Sequence, residues 1–365
     1  MNGIDYMELA LNMAKSTLGQ TSPNPAVGAV VVKDGEIVGM GAHLKAGGGH
    51  AEVHAITAAG EKAKGADIYV TLEPCSHYGK TPPCSQLIIS SGIKKVFIAS
   101  TDPNPLVGGK GIKQLIEAGI EVEIGDHQEE ALELNKHFFH FIQFGTPFVT
   151  LKTAVTLDGK TATASGDSKW ITSEASRENV HYDRHRHDAI LVGVNTIIRD
   201  NPHLTTRLPQ GGKNPIRVIL DSNLRTPILS NIVQDNESPT IIFTRNGISE
   251  EQKKPYLEKG CEIISLQMEK IDINTVLVEL GKRNILSLYV EGGSTIHSTF
   301  LKEKAFQELI MYMSPTLVGG SDAFQSFGGK GFNTIAEGLK MDIQYINRIG
   351  PDIKIVALPK IEISR

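Results

Sequence analysis

A chain of 365 residues that is 40% hydrophobic and 21% charged, with 36 glycines, has the composition of an ordinary α/β protein and the length for two cores at about 150 residues each. A formal net charge of −4 without a lysine- or arginine-rich tail argues against nucleic acid as a partner, and no run approaches the roughly 18 consecutive apolar residues of a membrane span. Three cysteines cannot make a disulfide framework, and MNGIDYMELA lacks the basic start and long apolar run of a secretory signal; both point to a cytoplasmic protein with reduced thiols that acts on a small molecule.

In chain order, Ile4, Met7, Leu11, Ala14 and Leu18 recur at helical spacing, and VGAVVVK and EIVGMGAH flank Asp34-Gly35, a two-residue hairpin signal. AEVHAITAAG predicts a helix ending at Gly60. DIYVTL, KKVFIAS and IEVEIG predict buried strands, with helices beginning near Cys84 and Lys110 between them. Alternation of this kind predicts a largely parallel sheet covered on both faces. A long helix from about Gln128 to Phe144 closes the half, and Gly145 and Pro147 then break it. The domain boundary is therefore expected at residues 144 to 147, which gives domains 1–145 and 146–365. Beyond it FVTLKTAV, DAILVGV, IRVILD, TIIFT, SLYVE and ELIMYM predict strands, while SEASRENVHYDRHRH and STIHSTFLKE predict helices, a second three-layer α/β domain. No fixed period runs through the chain, which excludes repeat architectures.

The chemistry of the first half concentrates in GHAEVHA and PCSHYGKTPPC. His50, Cys75 and Cys84 offer one imidazole and two thiolates, a three-ligand zinc set with an open position for water, as catalytic rather than structural sites have. Glu52, next to His50 but not a ligand, is placed to shuttle protons between that water, the substrate and a leaving amine. Pro82 and Pro83 suit a first helical turn, so Cys84 is expected near a helix N-terminus, which favours a thiolate; His50 precedes the other helix in the same way. A structural site with His77 as fourth ligand is the bland alternative. The order His-x-Glu, Pro-Cys, Cys is nevertheless the signature of zinc deaminases, with one departure: that signature usually ends C-x-x-C, whereas eight residues separate Cys75 from Cys84. The insertion brings His77, Lys80 and Thr81, of which Lys80 and Thr81 have the chemistry to hold a phosphate, beside the metal; an ordinary polar loop is the other reading of all three.

TSPNPAVGAVVV, HAEVHA, TLEPCSHYGKTPPC and DPNPLVGGKGI, in this order, resemble the deaminase half of the bifunctional riboflavin-biosynthesis deaminase/reductase family. The resemblance implies a cytidine-deaminase-like αβα fold with zinc on His50, Cys75 and Cys84 and Glu52 as proton shuttle. It also implies that Asn24, His43, His77, Lys80 and Thr81 surround a pyrimidine and its ribose phosphate, with Asp102 and Asn104 nearby.

In the second half, YVEGGSTIHSTFL ends a strand at Glu291, turns at Gly292-Gly293 and opens a helix at Ser294 or Thr295, which offers backbone N–H groups and a positive dipole end to a phosphate. Any β-turn-α connection can do the same, and a Rossmann G-x-G-x-x-G is absent. With TLDGKTATASGDSKWITS and LVGVNTIIRDNPHLTTRL, this stretch resembles the reductase half of the same family, whose fold is similar to dihydrofolate reductase. By that resemblance the hydride donor is NADPH, lined by Ala154, Trp170, Thr196, Asp200, Ser222 and the run Gly293, Ser294, Thr295, Ile296, His297, Ser298 and Thr299. Ser168, Arg184, Leu204, Arg207 and Glu291 would contact the sugar phosphate, and Lys152 would assist proton transfer. Trp170 as plain core and Arg184 on a solvated helix face are the alternatives. The family also implies a homo-oligomer. Two other functions remain open at this point: a nucleic-acid editing deaminase, which requires a basic surface, and a zinc-stabilised binding protein without catalysis, which gives no reason for Glu52.

Overall fold

In the computed structural model, which describes residues 5–76, 82–104 and 108–360, the chain divides into two compact units, Met1–Gly145 and Thr146–Arg365. No helix among the described residues is long and apolar enough to cross a membrane.

The first unit is built on a sheet in the order Glu36–Ala42, Gly28–Lys33, Asp67–Val70, Lys95–Ile98 and Glu121–Ile124. Asp34 and Gly35 both take positive φ, 52° and 81°, the geometry of a two-residue hairpin turn. Strand Gly28–Lys33 is apolar up to its last residue because both its faces are covered. Ala29 and Val31 pack with Ala51, Ala55 and Ile56 of helix Ala51–Ala59, whereas Val30 and Val32 pack with Met7, Ala10 and Leu11 of helix Tyr6–Lys15. Glycine is required where helix Ala51–Ala59 lies on the hairpin, because a Cβ on Gly39 would stand 2.1 Å from the Ala55 carbonyl oxygen.

Three expectations are corrected here. Strand Gly28–Lys33 runs antiparallel to both its neighbours, and only the pairings among the last three strands are parallel, so the sheet is mixed rather than largely parallel. Strand Glu121–Ile124 is a mostly exposed edge whose Glu121 and Glu123 pair with Lys95, not a buried strand. The long helix is two, Gln128–Leu134 and Lys136–Phe144. Asn135, only 4% exposed, separates them because its side chain accepts from the Ala26 N–H (2.8 Å) and donates to the Ala26 carbonyl (2.9 Å), a pairing worth leaving the helix for.

The second unit is built on a nine-stranded sheet in the order Glu262–Ser265, Thr240–Thr244, Ile216–Leu220, Ala189–Gly193, Ser287–Val290, Phe148–Thr156, Glu308–Ser314, Asp352–Pro359 and Met341–Ile349. The first seven run parallel, and the last two add as an antiparallel ribbon. Alternate residues feed two cores: Leu191, Val218, Phe243 and Leu288 on one face, Ile190, Ile219, Ile242 and Tyr289 on the other. Helix Ser294–Lys302 puts Phe300 into the first of these, which fixes the helix against the sheet and aims its N-terminus past the ends of the parallel strands.

Candidate active sites

In the first unit, two helix starts and the loop after strand Asp67–Val70 bring three side chains with ligand atoms together. His50 is the N-cap of helix Ala51–Ala59, and Cys84 is the first residue of helix Cys84–Ser90, behind the N-cap Pro83. His50 Nδ1 lies 3.3 Å from Cys84 Sγ and 3.6 Å from Cys75 Sγ, and the Cys84 N–H donates to Cys75 Sγ at 3.3 Å. At ordinary zinc bond lengths, tetrahedral N and S ligands stand about 3.5 Å apart, so these residues fit the ion as they stand. The hydrogen bond from Cys84 pulls the Cys75 thiol down, and the same bond, with burial, pushes Cys84 up. His50 is raised by its hydrogen bond to Cys75.

His50 and Cys75 open into a cavity of about 540 Å³, lined also by Asn24, His43, Glu52, Asp102 and Asn104. Glu52 is 3% exposed, and burial raises its carboxyl to about 7, where a side chain can both take and give a proton near neutral pH. His43, whose ionisation burial disfavours, donates from Nδ1 to the Gly49 carbonyl (3.0 Å), so its Nε2 accepts from Asn24 Nδ2 at 3.1 Å. Asp102 accepts from the Asn104 N–H at 2.9 Å. The structure thus gathers all the predicted residues of this half except His77, Lys80 and Thr81, which lie outside the described residues. Sequence reasoning missed Glu73 and Phe138, which also line the cavity. TLEPC contained the signal for Glu73, an acid directly before Pro-Cys.

In the second unit a cleft of about 490 Å³ is bordered by Ser168, Thr196, Asp200, Glu291 and the stretch Gly293, Ser294, Thr295 and Ile296. Gly293 is the N-cap of helix Ser294–Lys302 and carries no side-chain cap, which leaves the first N–H groups free for an anion. Glu291 forms the polar centre. Arg184 grips it with two bonds, Nε to Oε1 at 2.7 Å and an η nitrogen to Oε2 at 3.0 Å, and Lys152 Nζ stands 3.7 Å from Oε2. Burial opposes ionisation of Glu291, yet Arg184 and then Lys152 bring its carboxyl down to about 2. His181, absent from the sequence prediction, is held near 4 by burial and by Arg184 and Arg207, and its Nδ1 accepts from the Arg207 N–H (3.3 Å).

Several predicted residues sit elsewhere. His297 is buried under the cleft, its ring nitrogens 3.2 Å from the carbonyls of Val290 and Ser326, Ser298 donates to the Gly328 carbonyl, and Thr299 donates back to Thr295. His297 and Ser298 anchor the helix, and none of the three borders the cleft, as the 3.6-residue period dictates. Leu204 puts its side chain into the core, where only its backbone, at φ 55°, remains to meet a ligand. Trp170, 70% exposed under the Arg177 guanidinium at 4.5 Å, is not core, and Arg184, held by Glu291 and the Thr205 carbonyl, is not on a solvated face. Ala154 and Ser222 lie on or after sheet strands outside the cleft lining, and Arg207 is exposed beside Arg184.

Residues 2–100 match the cytidine and deoxycytidylate deaminase zinc-binding region, and residues 147–355 match the RibD C-terminal domain. The chain is 53% identical to riboflavin biosynthesis protein RibD of Bacillus amyloliquefaciens over 97% of its length and 96% of that protein's, and 40% identical to that of Escherichia coli over 95% and 97%. A structure of Acinetobacter baumannii RibD superposes with a TM-score of 0.89 at 39% identity, covering 98% of both chains. A Thermotoga maritima diaminohydroxyphosphoribosylaminopyrimidine deaminase/5-amino-6-(5-phosphoribosylamino)uracil reductase does so with a TM-score of 0.88 at 39% identity, over 97% and 98%.

Proposed function

The chain belongs to the RibD family of bifunctional riboflavin-biosynthesis enzymes, and from that premise we propose that residues 1–145 are its deaminase and residues 146–365 its reductase. It is an enzyme with both activities, its cofactors are zinc and NADPH, and its substrate is a small pyrimidine phosphate. In this assignment 2,5-diamino-6-ribosylamino-4-pyrimidinone 5′-phosphate is hydrolytically deaminated, and the ribosyl group of the product is then reduced to ribityl. We assign the protein to the cytoplasm, as a homo-oligomer.

His50, Cys75 and Cys84 hold the zinc, which when bound supplies an acidified water for attack on the ring carbon that bears the amino group. Glu52 accepts the proton released in that attack and delivers it to the leaving amine, a task that suits a carboxyl near 7. Asn24 and His43 act as one bonded pair on the cavity wall, with Asp102 and Asn104 as further polar contacts to the substrate. In the second unit the N-terminus of helix Ser294–Lys302, with Thr196 and Asp200, cradles NADPH, which when bound supplies hydride to C1′ of the opened sugar. Glu291 and Arg184 orient the sugar phosphate with Ser168 and Arg207, and Lys152 donates the proton that completes the reduction.

The observation that carries this assignment is the joining of a three-ligand set and a buried carboxyl near neutrality in one cavity. Glu52→Gln is expected to retain zinc and lose ammonia release by a factor of about 10² or more, since general acid–base catalysis contributes that much. Near-normal turnover by the zinc-loaded variant would remove Glu52 from the mechanism.

A further inference from the structure

Glu73 is a buried carboxylate that no step above uses. It is 5% exposed, it precedes Pro74 and the ligand Cys75, and its side chain lines the first cavity. Its two oxygens are taken by backbone N–H groups of one distant segment. Oε2 accepts from Asp102 (3.3 Å) and Gly109 (3.0 Å), and Oε1 accepts from Gly111 (3.1 Å) and Ile112 (3.4 Å). The last two belong to helix Lys110–Glu117, whose N-cap Gly109 offers no side-chain cap, so the carboxylate takes the place of one. The chains are pressed together here: a Cβ on Gly111 would stand 2.0 Å from the Pro74 carbonyl oxygen. Glu73's own N–H donates to the Ser100 carbonyl at 2.9 Å, which fastens the same two segments a second time.

We infer that Glu73 is a positioning residue of the deaminase site: it fastens Asp102, on the cavity wall, to the loop after strand Asp67–Val70 that carries Cys75, and thereby sets the distance between substrate contact and metal ligand. It touches no reacting atom and acts through Asp102. Resting as it does on the deaminase assignment, it predicts a particular kinetic pattern. Loss of the clamp displaces the substrate's polar contacts and raises KM, while the metal set and Glu52 stay in place and kcat holds.

Glu73→Gln keeps size and one acceptor oxygen but turns an amide NH2 toward two N–H donors. In the full-length, zinc-loaded protein it is expected to raise the KM for ammonia release by about tenfold, the cost of one misaligned charge-assisted hydrogen bond, with kcat within about threefold of wild type. Zinc content and NADPH oxidation on deaminated substrate should be unchanged. Asp102→Ala supplies the second arm: if Glu73 works through Asp102, adding Glu73→Gln to Asp102→Ala raises KM no further, whereas a purely structural clamp gives additive losses. An unchanged KM in Glu73→Gln, additive effects in the double variant, or joint loss of zinc, kcat and KM overturns the inference. No ammonia release from wild type would instead overturn the deaminase assignment itself.

Discussion

Arg184→Met tests the polar centre of the second unit. In the native protein the Glu291 carboxyl lies at about 2 against an ordinary 4.5, although burial pushes it the other way. At about 1.4 kcal/mol per pH unit, that depression is worth about 3 kcal/mol of stability at neutral pH. Arg184 makes two bonds of 2.7 and 3.0 Å and Lys152 a single approach of 3.7 Å, so about 2 kcal/mol should leave with Arg184. The sign follows from the direction of the shift. A carboxyl depressed on folding stabilises above its unfolded value and loses that contribution as pH falls through the folded one, so the gap between wild type and variant is full at pH 7 and closes between about pH 4.5 and 2. Urea unfolding followed by far-ultraviolet circular dichroism measures this, the second unit's transition being the one that the substitution moves. Adding Glu291→Gln should restore most of the loss, since the penalty comes from a buried charge left without its partner. A gap below about 0.5 kcal/mol at pH 7, or a double variant as unstable as the single one, refutes the reasoning.

Chelation of zinc is expected to stop ammonia release and make the thiols of Cys75 and Cys84 titratable while Cys261 stays buried; NADPH oxidation on supplied deaminated product should continue, and its loss would count against separate sites. Gly39→Ala drives a Cβ against the Ala55 carbonyl and should destabilise the first unit by about 2 kcal/mol, seen as thermal loss of ammonia release at a temperature where NADPH oxidation persists.

The meeting of His50, Cys75 and Cys84 was legible in the sequence because coordination chemistry restricts the residue types, and two helix starts, marked by His50 before an apolar run and by Pro82-Pro83, bring two of these side chains to one point. The hairpin at Asp34-Gly35 was legible for a similar reason, since few residue pairs tolerate two positive φ values. What stayed hidden depends on partners distant in sequence. Asn135 breaks a helix whose local pattern is continuous, because its side chain meets Ala26, 109 residues away. Glu73 reads as one more acid until the backbone of residues 102 to 112 folds onto it. Helix Glu250–Leu257 was overlooked because Pro255 interrupts the pattern, whereas Ser249 and Gln252 form a capping box that starts it. The final ribbon was missed because its outer strand, Met341–Ile349, leaves Ile343, Tyr345 and Ile346 exposed and shows no buried alternation.

The order of strands in the second sheet also sets a schedule for synthesis. Phe148–Thr156 is the first strand of its unit to leave the ribosome, yet its neighbours are Ser287–Val290 and Glu308–Ser314, with Phe148 opposite Ser287 and Thr150 opposite Glu308. Its apolar residues Val149, Leu151 and Val155 must therefore wait for well over a hundred residues to be translated before a partner exists. The first unit's hairpin, by contrast, closes across two residues. Long-range parallel pairing of this kind is slow and leaves strand edges open in the meantime. The second unit is thus the part of a nascent chain whose strand edges stay open longest, and a ribosome stalled before residue 308 releases a chain whose strand Phe148–Thr156 has nothing on one side.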